Sequence, residues 1–230
     1  MHHATLKSSR YEIPTNGDRF SRNYVFIEEA RKYHTILECG CSTGFLSRQL
    51  AAGGSRVVGI EIDAEAAEKA REFCARVLSL DLNRPNWSNT VGERFDLVTY
   101  GDVLEHLLEP QAVLRETKNV LAPGGRILIS LPNIAYWTMR AKLLMGRFEY
   151  ESMGLLDYTH LRFFTFHTAS KMIEQAGYRI VHFHPVMGGR FTGNFRPMWQ
   201  RLTNLIPNFL AVQTLFLVEP LADTHESSPS

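Results

Sequence analysis

The stretch Ile36-Leu37-Glu38-Cys39-Gly40-Cys41-Ser42-Thr43-Gly44 decides how the rest of the chain is read. Its apolar start reads as a short buried strand. The segment behind it, FLSRQLAAGG (45–54), reads as a helix with a Gly-Gly stop. Between them lies a Gly-x-x-x-Gly turn. Gly40 can take backbone angles closed to other residues and lets a ligand approach the main chain, and Gly44 permits close contact where the helix begins. A plain strand-to-helix turn would show the same glycines. Three features separate this turn from the phosphate-binding loops. It is not the Gly-x-Gly-x-x-Gly of a dinucleotide site, it lacks the Lys-Ser/Thr ending of a P-loop, and Glu38 ends its strand. A carboxylate there repels a pyrophosphate and suits a cationic ligand with an amino group.

Further along the chain, RVVGIEID (56–63), RVLSLDL (76–82), RFDLVTYGD (94–102) and GRILISLPN (125–133) read as strands. AEAAEKAREFCA (64–75) and PQAVLRETKNVLA (110–122) read as helices between them. This alternation implies a parallel sheet with helices on both faces. Glu61 ends the second strand, where an acid can accept hydrogen bonds from both hydroxyls of a ribose; its neighbour Asp63 reads as the cap of the next helix. Asp81 ends the third strand, placed to accept from an adenine amino group while Leu82 packs on the ring. Each acid alone could be a helix cap or a solvated residue. Three at successive strand ends share the carboxyl edge of one sheet, where open α/β sheets bind ligands.

Composition sets the outer limits. At 230 residues the chain makes one domain or one and a half, and 44% hydrophobic with 21% charged residues excludes a mainly disordered chain. Lys plus Arg is 25 against 24 for Asp plus Glu, so no overall cationic field favours a nucleic-acid partner. Cys39, Cys41 and Cys74 form no disulfide framework, and a reducing cytoplasm suits them. No second Cys/His cluster completes a site around Cys39 and Cys41, so no metal is expected. The start, MHHATLKSSRYEIP, has no apolar core of a secretory signal. The apolar stretch Phe209 to Val218 is too short to span a bilayer.

Beyond the fifth strand the rhythm changes. Residues 133–165 mix aromatics, Arg and Met; HTASKMIEQAG (167–177) reads as a helix, YRIVHFHPV (178–186) as a sixth strand, 187–208 as a loop rich in Gly, Pro, Asn and Arg, and LAVQTLFLVE (210–219) as a last strand.

Taken in order, ILECGCSTG, VVGIEID, LSLDL, FDLVTYGDVLEHL and VLAPGGRILISLPN resemble the class I S-adenosylmethionine-dependent methyltransferases over about residues 34–185 plus the last strand. The resemblance implies an α/β, Rossmann-like sheet of seven strands in the order 3-2-1-4-5-7-6, with the seventh antiparallel. It implies a single domain over 1–230: a cofactor core at 22–132, an acceptor lid inserted at 133–165, and a closing helix and strands at 166–220. The region PNIAYWTMRAKLLMGRFEY, then LLDYTHLRFFTFHTASKMIEQAGY, is similar to a bacterial subgroup that often accompanies glycan or small-metabolite biosynthesis, similar in turn to the ubiquinone-pathway O-methyltransferases. The family's middle glycine of the first motif is Ser42 here. Carried onto this chain, the resemblance implies that Cys39, Gly40, Cys41 and Gly44 hold the methionine part of S-adenosylmethionine through the backbone. Glu38 steers its amino group, Glu61 holds the ribose, Ile62 packs on adenine, and Asp81 and Leu82 fix the adenine. Tyr100, Gly101 and Asp102 lie under the sulfonium.

Methyl transfer from a sulfonium needs a nucleophile in line with the breaking bond, and a hydroxyl nucleophile gains from a general base. Histidine suits that role near neutral pH. Of nine histidines, His2, His3 and His225 sit at the termini, His34 precedes the first strand, and His182 and His184 lie on the sixth strand. His106 follows Glu105 just beyond the fourth strand, and His160 stands with Asp157 and Arg162 in the inserted segment; His167 ranks third. His160 or His106 is the expected base, with Asp157 or Glu105 as orienter. A structural histidine and a salt-bridged lid are the plainer readings of the same residues. Asn133, Tyr136, Trp137, Arg140 and Arg162, with Phe148, Tyr150 and Tyr158, suit a polar ring such as a sugar or phenol, although lid core would use the same aromatics. Tyr11 in the N-terminal arm could fold over the cofactor, and the arginines of 190–201 could meet a phosphate, membrane surface or partner. The expected function is methyl transfer to a hydroxyl of a sugar or other small metabolite. The expected partners are that acceptor and at most a second copy of the chain. N-methylation, nicotinamide-dependent oxidation and a non-catalytic cofactor-binding module are the alternatives.

Overall fold

The structure, a computed structural model, describes residues 19–188 and 195–221. His2, His3, Tyr11, His225 and residues 190–194 lie outside the described residues. Seven strands form one sheet: β1 (Thr35–Cys39), β2 (Arg56–Glu61), β3 (Arg76–Ser79), β4 (Phe95–Gly101), β5 (Leu121–Pro132), β6 (Tyr178–Met187) and β7 (Ala211–Pro220). Their order is β3-β2-β1-β4-β5-β7-β6. The pairs of β1 with β2 and β4, of β2 with β3, and of β4 with β5 are parallel, while β7 runs antiparallel to both β5 and β6. This is the topology that the family resemblance implies.

The helices are α1 (Arg22–Ala30), α2 (Phe45–Ala52), α3 (Ala64–Ala70), α4 (Pro110–Thr117), α5 (Trp137–Leu144), α6 (Phe166–Gln175), α7 (Arg196–Leu205) and α8 (Pro207–Leu210). Successive strand residues feed opposite faces of the sheet, as the pleat requires. Ile36, Val57, Leu97, Leu128, Leu215 and Leu217 pack with Phe26, Ile27 and Ala30 of α1, Leu50 of α2 and Ala67 and Ala70 of α3. Their neighbours Leu37, Val58, Val98, Ile127, Ile129 and Phe216 pack with Val113 and Leu114 of α4 and Met172 and Ile173 of α6. Both faces are therefore dry, which a sheet of this class needs.

Local chemistry sets the element ends. Asp63 Oδ1 accepts from the backbone N–H of Glu65 (2.9 Å) and Ala66 (3.0 Å), the cap expected from the sequence. Thr165 and Thr168 form a reciprocal capping box on α6. Two boundaries depart from the expected ones. The helix read over 64–75 stops at Ala70, because the chain must turn there to bring Cys74 and β3 back to the sheet. The expected loop 187–208 contains α7 and α8; Pro197 sits in the first turn of α7, where a missing N–H costs nothing, and Gln200 and Thr203 give it a buried side. Among the described residues, no helix is long and apolar enough to cross a membrane.

Candidate active site

The parallel register brings four strand ends to one edge. Cys39 pairs with Ile60 and with Tyr100, Glu61 with Ser79, and Gly101 with Ser130. The turn after β1 runs through left-handed backbone at Gly40 (φ 71°), Ser42 (φ 50°) and Gly44 (φ 84°). A Cβ on Gly40 would stand 2.6 Å from Val103 Cγ2, and one on Gly44 would meet Phe73 at 2.9 Å. Main chain thus forms the floor of the turn, and side chains are excluded from it.

Glu61 ties this turn to β2. Its carboxylate accepts from the backbone N–H of Ser42 (2.8 Å), Ile62 (2.8 Å) and Asp63 (2.9 Å), and it is 7% exposed. Ile62, 64% exposed, stands beside it as an unshielded apolar surface. Asp81 lies just past the end of β3, where its carboxylate accepts from the backbone and side-chain amides of Asn83 (2.9 and 3.1 Å), with Leu82 buried behind it. Glu38 is buried and accepts from Ser47 Oγ (2.5 Å); burial pushes its carboxyl up to about 8. A cation reaching Glu38 would reverse that shift.

Tyr100 is fully buried and its hydroxyl lies 2.7 Å from Thr117 Oγ1, in the core away from the mouth. Any contact it makes with a ligand comes from its main chain. Asp102, in left-handed backbone (φ 60°), is ion-paired to Arg22, accepts from Gln213 Nε2, and accepts from Ser130 Oγ at 2.9 Å. Sequence reasoning missed Arg22, Ser130 and Gln213. Ser130 could have been found from its place at the end of an apolar strand, but Arg22 and Gln213 meet Asp102 only through the tertiary fold.

On the acceptor side, Glu105, His106, Asp157 and His160 come together although some fifty residues separate the two pairs. The carbonyl of Glu105 accepts from the N–H of Leu161 (2.9 Å) and Arg162 (3.0 Å), clipping the 133–165 segment onto the loop after β4. The rings of His106 and His160 stand 4.9 Å apart, edge to face. His106 Nδ1 lies 3.1 Å from the Thr159 carbonyl. A carbonyl can only accept, so Nδ1 carries the proton and Nε2 the lone pair. Asp157, fully buried, accepts from Thr159 N–H (2.8 Å) and Oγ1 (2.7 Å). It therefore positions His106 through Thr159, a residue the sequence did not single out. Burial holds both imidazoles below their ordinary pKa, with the other histidine adding to the effect at His160. Glu105 is fully buried, and neither carboxylate oxygen has a hydrogen-bond partner among the described residues; burial and then the charge of Asp102 push it well above the usual carboxylate range. Ligand atoms of Glu105, His106 and His160 all lie within 4.8 Å of one another, a grouping that the sequence search around the cysteines did not consider.

The expected acceptor residues divide. Tyr136 is 5% exposed, with its hydroxyl buried and without a hydrogen-bond partner among the described residues, and it lines a cavity of about 170 Å³ with Met139, Lys142, Glu151, Leu155 and Leu156. Trp137 stacks edge-on against Tyr136. Asn133 is engaged structurally: its amide donates to Ala211 O (2.8 Å) and its Oδ1 accepts from Ala135 N–H (3.0 Å), joining the ends of β5 and β7. Arg140 donates to Ala135 O (2.7 Å) and lies over the Phe209 ring, while Arg162 donates to Leu108 O (2.7 Å).

The seven-stranded sheet in the order β3-β2-β1-β4-β5-β7-β6, with β7 antiparallel, is the fold of the class I S-adenosylmethionine-dependent methyltransferases. The family model for methyltransferase domains matches residues 9–183, and the chain belongs to that family. The ubiquinone biosynthesis O-methyltransferase of Aeromonas salmonicida is 27% identical over 160 residues, covering 66% of this chain and 67% of that protein. Its namesake from Coxiella burnetii is 22% identical over 172 residues, covering 71% and 73%. Among solved structures, the CcbJ methyltransferase of Streptomyces caelestis superposes with a TM-score of 0.61 at 16% identity, covering 95% of this chain and 97% of that one. The magnesium protoporphyrin IX methyltransferase of Synechocystis, solved with bound SAH, superposes with a TM-score of 0.59 at 14% identity, covering 90% and 87%. At such identities the likeness is one of fold.

Proposed function

We propose that the protein methylates a hydroxyl oxygen of a small, ring-sized metabolite, a sugar or a phenol, with His106 as general base. The observation that carries this reading is the partly buried pair His106–His160, whose pKa values burial holds below the ordinary imidazole value, at the same sheet edge as the turn after β1. S-adenosylmethionine, when bound, supplies a methyl group on a good leaving group. The chain's own residues do the rest. Gly40 and its neighbours leave room for the main chain to approach the methionine portion, Glu61 faces the ribose, and Ile62, Asp81 and Leu82 surround the adenine. Arg22, held at Asp102, offers a cation to the carboxylate of the methionine portion, and Glu38 offers its carboxyl to the amino group.

His106 Nε2 accepts the proton of the acceptor hydroxyl, while Thr159 fixes the ring and Asp157 fixes Thr159. His160, whose Nδ1 is buried without a partner, stands beside that proton path. The open cavity of about 170 Å³ lined by Tyr136, Met139, Lys142, Glu151, Leu155 and Leu156 is the place we assign to the acceptor ring. The two named O-methyltransferase relatives support oxygen over nitrogen. Three free thiols suit a reducing cytoplasm. The test is turnover of a panel of hydroxylated single-ring acceptors by wild type and by His106→Gln and His160→Gln. Near-wild-type turnover in both variants would remove the histidine base from the account.

A second reading is favoured by the orphaned carboxylate of Glu105: with His106 and His160 it would hold a divalent cation that binds the acceptor oxygen. Loss of turnover on chelation, restored by added magnesium or zinc, would select it over the unassisted base.

A further inference from the structure

Three thiols have no part in methyl transfer. Cys39 lies in the core beside Tyr100, and burial pushes it up to about 12. Cys41 and Cys74 are differently placed. Cys41 sits in the cofactor turn, and Cys74 follows α3, its N–H donating to Ala70 O at 3.0 Å. Both sulfurs enter the gap that Gly59 leaves in the middle of β2. A Cβ at that position would stand 2.5 Å from Cys41 Sγ and 3.4 Å from Cys74 Sγ. The Cys41 thiol itself donates to Ser42 O at 3.9 Å; its closeness to Cys74 as a potential donor lowers the Cys74 thiol to about 7 against its burial. The Cys74 thiol donates to Ser47 Oγ at 3.1 Å, and Ser47 in turn donates to Glu38.

We propose that Cys41 and Cys74 are a reversible dithiol–disulfide site, oxidised by a hydroperoxide, that ties the cofactor turn to the end of α3. Cys74 is the more accessible of the two, 9% exposed against 2%, and reacts first. Its thiolate attacks one oxygen of the hydroperoxide and breaks the O–O bond. The other oxygen leaves as an alcohol, or as water from hydrogen peroxide, and Cys74 becomes a sulfenic acid. Cys41 sulfur then attacks Cys74 sulfur, and the hydroxyl group leaves with the Cys41 proton as water. Two thiols lose two electrons and the hydroperoxide gains them. A dithiol reverses the bond by exchange.

The consequence reaches the cofactor through one peptide unit. An S–S bond of about 2.05 Å is far shorter than any hydrogen-bonded contact between thiols, so closing it drags Cys41 toward Cys74. Cys41 is flanked by the left-handed Gly40 and Ser42, and the Ser42 N–H holds Glu61. Disturbing the charge-assisted Ser42–Glu61 hydrogen bond is worth about tenfold or more, and cofactor affinity is expected to fall by that margin. This effect rests on the cofactor reading of the turn, whereas the thiol pairing stands without it.

The full chain, reduced and then exposed to hydrogen peroxide, should give a peptide pair joined through Cys41 and Cys74, lighter by two hydrogens. Its calorimetric affinity for S-adenosylhomocysteine should fall by the margin above and recover with dithiothreitol. Cys74→Ser should bind as reduced wild type does and lose the peroxide response. If that variant does not fold, the peptide map and the dithiol recovery of wild type decide alone. A link through Cys39, a sulfinic acid at Cys74 without any link, or a Cys41–Cys74 link that leaves affinity unchanged would overturn the proposal. Reduced protein that does not bind S-adenosylhomocysteine would strike the methyltransferase reading instead, and the peptide map would still judge the thiol pair.

Discussion

The β1–β2 end of the catalytic edge and the β4–β5 end are made of different material. At the first, a five-residue turn, one buried carboxylate on three backbone amides and an exposed isoleucine form the cradle, all drawn from residues close in sequence. At the second, side chains from the loop after β4 meet side chains of the 133–165 segment: His106 with Thr159, His106 with His160, and the Glu105 carbonyl with Leu161 and Arg162. The first end depends on main-chain geometry and tolerates little change of conformation. The second depends on burial and on the order of a clipped-down segment, so its chemistry can be altered one side chain at a time. Substitutions at the two ends should therefore fail in different observables.

The largest effect is expected at the second end. His106→Gln should lower kcat by about 100- to 10,000-fold, the range for a positioned general base, with cofactor affinity near wild type. Steady-state rates beside a calorimetric titration check this. The same residue sets a pH limb. Because burial lowers the histidine pKa, the free base is present through neutral pH, and the rate should fall only below the ordinary histidine range near 6.5. A limb centred above that value would contradict the assignment.

Glu61→Ala should do the converse, weakening S-adenosylhomocysteine by about 100-fold while leaving the rate at saturation within a few-fold. Three backbone amides and a ribose lose a charged acceptor there, and each such bond is worth about 1.5–3 kcal/mol. Gly40→Ala should cost less, about tenfold in cofactor affinity, from about 1–2 kcal/mol of left-handed strain and the 2.6 Å approach to Val103. The smallest effect is on the stability of the ligand-free protein. Glu38 is pushed from 4.5 up to about 8, so the fold binds its proton more tightly than the unfolded chain does. That contribution is complete below about pH 4.5 and is lost as pH rises through about 8. Glu38→Gln should remove the loss, raising Tm above pH 8 by roughly 2–4 °C per kcal/mol, while cofactor affinity falls.

The same division governs what could be read from the sequence. The alternation of strands and helices, the glycine turn at Gly40, the strand-end acid Glu61 and the cap at Asp63 are legible in local pattern, whereas the strand order, which joins segments far apart in the chain, came with the family resemblance. Tyr100 shows where this stops: its place at a strand end is legible, but which face its ring takes is a matter of register, and the ring went to the core beside Thr117. Asn133 and Arg140 sit where acceptor residues were expected yet bind neighbouring carbonyls. Arg22, Gln213 and Thr159 were invisible because their partners lie far along the chain. α7 was taken for loop because Gly, Pro and Asn around it hid its short amphipathic period.

The claim that the turn 40–44 and Glu61 seat S-adenosylmethionine is tested most directly by calorimetric titration of S-adenosylhomocysteine and NAD into wild type and Glu61→Ala. The account predicts saturable, one-to-one binding of S-adenosylhomocysteine to wild type, binding weakened by about 100-fold in the variant, and no heat from NAD. Saturable NAD binding to wild type without S-adenosylhomocysteine binding would contradict it.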